Sequence, residues 1–261
     1  MGQTPFAARL LAWWDQHGRK DLPWQHPRTP YRVWISEIML QQTQVATVIP
    51  YFERWLEAFP DISSLAGASL DDVLGHWSGL GYYARARNIL KAANNCRQQF
   101  GGKLPDTAEE LAALPGIGLS TANAIISQSS DRPAAVLDGN VRRVLARHTA
   151  TPGWTGKTSV QKRLWQIAEQ RLPDSRGADS TQAVMDLGAM VCTRINPACI
   201  SCPVHADCLA LANDLVGQLP TPKPASKVSD RMIYMLLIRD RQGRVLLEKR
   251  PPAGIWGGLW C

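Results

Sequence analysis

The chain has no apolar run approaching the 18 residues that a membrane-spanning helix requires. Its first 25 residues, Met1 to Gln25, are amphipathic and dotted with charge. They lack the apolar block and small-residue cleavage site of a secretory signal, so a cytoplasmic protein is the expectation. Charge of one sign is not in large excess: 29 basic against 22 acidic side chains give a formal +7 over 261 residues, a hint of a polyanionic partner and no more. Strand signals are missing from the first 220 residues. A composition 45% apolar and 20% charged excludes a disordered chain. Cysteine is sparse outside one stretch. Four of the six fall between 192 and 208, which in a chain of this length is a metal-site pattern rather than a disulfide scaffold.

What is present is helix. Thr4 to His17 carries Phe6, Leu10, Leu11, Trp13 and Trp14 at helical spacing. Lys20 to Pro30 holds three prolines and must be extended. The pattern then predicts helices over Tyr31–Ile49, Tyr51–Phe59 (starting after Pro50), Leu70–Ser78, Ala84–Phe100, Ala108–Ala113, Ser120–Ser129, Gly139–Ala150, Lys157–Arg171 and Ser180–Val191. Thr107 with Glu110 forms a capping box for Ala108–Ala113. Residues 218–229 are proline-rich and aperiodic, the signature of a linker. Beyond them, 232–238 and 245–247 flank a turn at Gly243 and read as a β-hairpin. Some 30 residues are too few for an independent β-domain, so a cut inside a second domain is the expectation.

Four features carry chemistry. Cys192, Cys199, Cys202 and Cys208 are spaced to wrap one centre, either Zn²⁺ or an iron–sulfur cluster. Zinc ribbons usually pair two Cys-x2-Cys knuckles and only one is present, which favours the cluster. Leu114-Pro-Gly116-Ile-Gly118-Leu-Ser120 reads as a tight hairpin between two helices. Its glycines permit positive φ, and its N–H groups suit a phosphate oxygen, so a helix-hairpin-helix gripping DNA backbone is the favoured reading over an ordinary turn. Glu37 is flanked by Trp34, Ile35, Ile38, Met39 and Leu40. Facing inward it would lose hydration and keep its proton near neutral pH, as a general acid must; a solvated helix face is equally open. Asp138 before Gly139 is an ordinary helix N-cap unless a developing positive charge sits beside it. Gln42 and Tyr82, among the polar and aromatic groups at 41–44 and 82–83, are of the type that wedges a base stack.

Together these stretches closely resemble the MutY-type adenine DNA glycosylases of the helix-hairpin-helix superfamily, across essentially the whole chain. The most specific matches are Leu22-Pro-Trp-Gln25, the run Ser36 to Phe52, Gly79 to Asn88, Leu114 to Ala122, Leu137-Asp-Gly-Asn-Val141 and Asp186 to Cys192. The resemblance implies an all-α, two-lobed fold. A six-helix barrel over 25–135 faces a lobe built from 1–24 and 136–217 that carries a [4Fe–4S] cluster on the four cysteines. After the 218–229 linker, 230–261 looks like the opening of a Nudix-like domain associated with 8-oxoguanine recognition. The implied partner is double-stranded DNA with adenine opposite 8-oxoguanine or guanine, and a monomer is the simpler expectation. The implied roles are Glu37 as acid and Asp138 as stabiliser of a cationic sugar. Lys20, Trp24 and Gln182 line the adenine pocket, Gln42 and Tyr82 wedge beside the orphaned base, and Gly116, Gly118, Ser120 and Asn140 contact DNA. The related endonuclease III-type enzymes place a lysine nucleophile where this chain has Ser120, which implies base removal without strand cleavage.

Two alternatives stand beside that reading: a non-enzymatic DNA-binding iron–sulfur module, and a glycosylase acting on thymine or oxidised pyrimidines. Paired carboxylates argue against the first, since binding alone needs none. The charge also redistributes. Residues 223–261 hold eight basic and three acidic groups, net +5, while residues 1–222 hold 21 and 19, net +2. A cluster with its thiolates contributes about −2, which leaves the body near neutral. Placement therefore matters more than total: Arg85, Arg87 and Lys91, then Arg142, Arg143 and Arg147, then Lys157, Lys162 and Arg163 are the groups expected to meet phosphate.

Overall fold

The structure, a computed structural model, describes residues 6–225, 230, 232, 234–251 and 257–261. Its α-helices are α1 (Phe6–His17), α2 (Pro30–Met39), α3 (Val45–Ala58), α4 (Ile62–Gly67), α5 (Leu70–Trp77), α6 (Ala84–Gln99), α7 (Ala108–Ala113), α8 (Leu119–Ser130), α9 (Gly139–His148), α10 (Thr158–Glu169), α11 (Gly177–Asp186) and α12 (Leu209–Ala212). No helix among the described residues is long and apolar enough to cross a membrane. Thr4 and Pro5, expected at the start of the first helix, lie outside the described residues.

Local chemistry sets the helix starts. Thr29 Oγ1 accepts from Arg32 N–H ahead of Pro30, whose missing N–H costs nothing at a first helical position. Ser69, Thr107 and Asp138 cap α5, α7 and α9 in the same way. Asp61 caps α4 through Ser64, a short helix the periodicity did not predict.

Three apolar cores follow from this order. The largest is built from α2–α8 around Trp34, Phe52, Trp55 and Trp77. A second joins the α8–α9 connection to α9 and α10, and a third packs α1 against α9, α11 and Val204 of the cysteine loop. The barrel and the cysteine-bearing body thus have separate interiors, and α8 and the extended segment after it run between them.

Three expectations need correction. The helix expected over Tyr31–Ile49 stops at Met39, and α3 passes through Pro50 instead of starting after it. Pro50 is exposed, and so is Ala46, whose carbonyl would have taken the missing bond, so that carbonyl is open to solvent. The break falls at Gln41–Gln44, where Gln42 adopts φ 60° without the glycine that would have signalled it. The expected hairpin is reduced, among the described residues, to isolated bridges at Arg239–Val245 and Lys249–Trp260, with Asp240 accepting from the turn N–H groups of Gln242 and Arg244. Residues 226–229, 231, 233 and 252–256 of the expected linker and β-segment lie outside the described residues. The linker's first part is also not free: Thr221 bridges Trp154, and its hydroxyl accepts from Gly153 N–H.

Candidate active site

The packing of α2 against α8 and of α9 against the end of α11 leaves a cavity of about 450 Å³ between the two bodies. Glu37, in the last turn of α2, and Asp138, at the N-terminus of α9, both line it, with Trp24, Asn140 and Gln182. Trp24 is buried and held edge-on to Phe52, at 5.5 Å between ring centroids. Gly188, in the π-helical turn Leu187–Val191 that continues α11, lets α9 approach closely: an added Cβ would lie 2.6 Å from Asn140 Cβ.

The two carboxyls differ in chemistry. Burial, and then the nearby charge of Asp138, push Glu37 up to about 7, while the amide of Gln128 on α8 donates to its Oε1 at 3.0 Å and pulls the other way. Burial pushes Asp138 up too, against the N–H groups of Val141 and Asn140 and the guanidinium groups of Arg143 and Arg142. Its Oδ1 accepts from Val141 N–H at 2.7 Å. Both carboxyls are half-buried, and desolvation raises both; the helix N-terminus and the arginines favour charge on Asp138, while burial and the charge of Asp138 favour the proton on Glu37.

Below the cavity lies Asp186, fully buried. Its carboxylate accepts from Trp14 Nε1, Arg19 N, Nε and Nη2, and Gln182 Nε2, at 2.6–3.2 Å. With one amide N–H bonded to Asp186, Gln182 keeps its carbonyl oxygen and its second N–H for the cavity it lines. Lys20 is not brought here. Its Nζ donates to Asp15 O and sits over the Trp14 ring, and Arg19 lines the cavity in its place. Arg19, Gln128 and Asp186 escaped attention as site residues in the sequence. Arg19 adjoins a matched motif, and Gln128 is the one long polar side chain on a helix of small and apolar residues.

The hairpin between α7 and α8 is exposed at Gly116, Gly118 and Leu119, with Leu114 and Ile117 buried beneath. Only Gly116 uses positive φ, at 81°, and an added Cβ there would press Asn88 at 2.8 Å; Gly118 is the extended N-cap of α8 at φ −92°. The N–H groups of the first turn of α8 have no acceptor within their helix. Ser120 Oγ accepts from Leu137 N–H, one residue before Asp138. Gln42 and Tyr82 are both exposed and both at positive φ.

Cys192, Cys199, Cys202 and Cys208 surround a second, apolar cavity. Burial raises the Cys199 and Cys202 thiols, Cys202 to about 11, and the neighbouring thiols push them further. The four thiols line one cavity, a donor set that suits Zn²⁺ or an iron–sulfur cluster.

Residues 35–170 match the family described as HhH-GPD superfamily base excision DNA repair protein. An adenine DNA glycosylase of Buchnera aphidicola (subsp. Baizongia pistaciae) is 41% identical over 98% of this chain and 72% of its own length. Among solved structures, a thermostable thymine-DNA glycosylase superposes with TM-score 0.70 at 25% identity, covering 80% of this chain and 95% of that one. An endonuclease III–DNA complex shares the fold at TM-score 0.67 and 22% identity, over 80% and 94%. The chain belongs to the HhH-GPD superfamily, within it to the MutY-type adenine DNA glycosylases, and it is a DNA glycosylase of base excision repair.

Proposed function

We propose that the enzyme removes adenine mispaired with 8-oxoguanine or guanine by hydrolysis, without cutting the strand. The observation that carries this reading is one cavity lined by both Glu37 and Asp138, with burial pushing Glu37 up to about 7. The glycosidic bond lies inside the stack, so the nucleotide must be flipped out, at a cost of a few kcal/mol. Gln42 and Tyr82 fill the space it leaves, Trp24 and Gln182 receive the base, and Asn140 and the hairpin of Gly116, Gly118 and Ser120 hold the backbone. Glu37 gives its proton to adenine N7, the C1′–N9 bond breaks with its electron pair going to the base, and adenine leaves neutral. Asp138 stabilises the cationic sugar. Water attacks C1′ and returns a proton to Glu37. Ser120 carries no amine to capture the sugar, so no Schiff base forms.

The four cysteines suit a [4Fe–4S] cluster, which we assign a structural role. A single-turnover assay on A:8-oxoguanine and A:G duplexes tests the reading. We expect base release to be lost in Glu37→Gln with DNA affinity retained, and strand breaks to need heat or alkali. Nicking by the wild type at the rate of base release would sink the monofunctional assignment.

A further inference from the structure

Glu37 has two carboxyl oxygens, and the structure treats them differently. Oε1 accepts from Gln128 Nε2 at 3.0 Å. Oε2 has no partner among the described residues and is not among the buried atoms left without one, so it opens onto the cavity that Glu37 lines. Gln128 is itself buried, on the face of α8 packed against α2.

We infer that Gln128 is a positioning residue that fixes which oxygen of Glu37 carries the acidic proton. A donor held on Oε1 makes that oxygen an acceptor, so the proton of the neutral acid resides on Oε2, facing the base. When Oε2–H breaks and the proton passes to adenine N7, the negative charge left on the carboxylate strengthens the amide bond already made at Oε1. The amide therefore favours the product of proton transfer without contacting substrate. The inference rests on Glu37 being the acid of the proposed reaction.

Charged groups reach Glu37 from several sides. Asp138 of α9 acts on it directly, Arg142 and Arg143 act on Asp138, and Arg19, held by Asp186 of α11, lines the same cavity. On α2 the guanidinium of Arg32 is tied to Pro23 O, and Arg85 of α6 is tied to carbonyls at the end of α2. On α3, Glu53, Arg54 and Glu57 face solvent. Helix α8 carries no ionisable side chain, so Gln128 is its contribution.

The test compares wild type with Gln128→Leu and Gln128→Met by two readouts. In the first, the single-turnover rate of adenine release from an A:8-oxoguanine duplex is followed against pH, the alkaline limb reporting loss of the acid's proton. Removing a donor to the carboxylate is expected to move that limb up by about half to one pH unit and to lower the best rate about three- to tenfold. In the second, a ¹³C NMR titration of the Glu37 carboxyl in the DNA-free protein is expected to show the same upward displacement. A uniform loss of rate with limb and titration unmoved would mean that Gln128 only packs, and would overturn the inference. A downward displacement would overturn it too, because the amide would then be accepting the Glu37 proton. Turnover retained in Glu37→Gln would instead defeat the underlying reading, and the titration would still report on the contact.

Discussion

Glu37 holds its proton up to about pH 7 in the folded protein because burial and the charge of Asp138 oppose ionisation, whereas the ordinary carboxyl value is 4.5. That displacement ties stability to pH. Below 4.5 both folded and unfolded chains are protonated at this site. Between 4.5 and 7 the unfolded chain releases a proton that the folded chain keeps, so this group's contribution to folding is lost as pH rises through the window. The loss totals up to about 3 kcal/mol. Glu37→Gln is neutral at every pH and avoids it. We expect the variant to melt a few degrees above wild type at pH 8 and close to it at pH 4. Equal melting points at pH 8 would show that the site does not hold Glu37 neutral. Ser120 supports a second prediction at this scale. Its hydroxyl is anchored to the N–H of Leu137, one residue before Asp138, so an amine there would lie near the carboxylate proposed to stabilise the cationic sugar. Ser120→Lys is expected to gain strand cleavage and a borohydride-trapped covalent complex that wild type forms far less; no gain would remove Ser120 as the determinant of monofunctional chemistry.

Some helix starts were readable because each is written in one or two residues: Thr107 and Asp138 cap α7 and α9 as their chemistry dictates, whereas Pro30, read as part of an extended connection, opens α2, and the starts of α3 and α4 were missed. The break between α2 and α3 was not readable, because long-range contacts hold it. Arg85 on α6 donates to Ile38 O, Met39 O and Gln41 O at 2.7–2.9 Å and to Leu80 O at 3.1 Å. Its guanidinium also lies over Trp77 and Tyr82. One side chain thus closes the end of the helix bearing Glu37 and joins two turns, those of Gln42 and Tyr82, whose positive φ costs energy that local sequence does not repay. Lysine cannot make this fork. We expect Arg85→Lys to slow adenine release at least about tenfold through loss of geometry, with duplex affinity changed less. A fluorescent adenine analogue in the target position should report reduced extrusion. Normal extrusion with slow release would place the defect at Glu37 instead. Lys20 and Arg19 mark the same limit to legibility: which of two adjacent residues enters the cavity depends on how Asp186, 167 positions along the chain from Arg19, grips its side chain.

At the scale of the molecule, the basic residues expected to meet phosphate are mostly occupied within the fold. Arg147 is buried, donating to Leu219 O, Thr193 O and Arg194 O. Arg143 is spent on Gly188 O and Cys192 O, Arg142 on Leu137 O, Arg87 on Gly257 O and Arg85 on the two turns. These arginines satisfy carbonyls where helices end and loops cross, a use of positive charge that sequence cannot distinguish from nucleic-acid binding. Lys91, Lys157, Lys162 and Arg163 remain exposed. With residues 1–222 at a net of only +2, the proposed grip on DNA falls to the backbone N–H groups of the hairpin and to a few surface cations. Neutral N–H donors do not displace counterions as cations do, so affinity should depend only modestly on salt. Three or four phosphates neutralised by side chains give a slope of log K against log salt of roughly −3. Fluorescence anisotropy with an uncleavable A:8-oxoguanine duplex across salt concentrations measures it. A slope near −8 would mean that the arginines release their carbonyls to bind DNA, and that the cationic segment beyond residue 222 joins the interface.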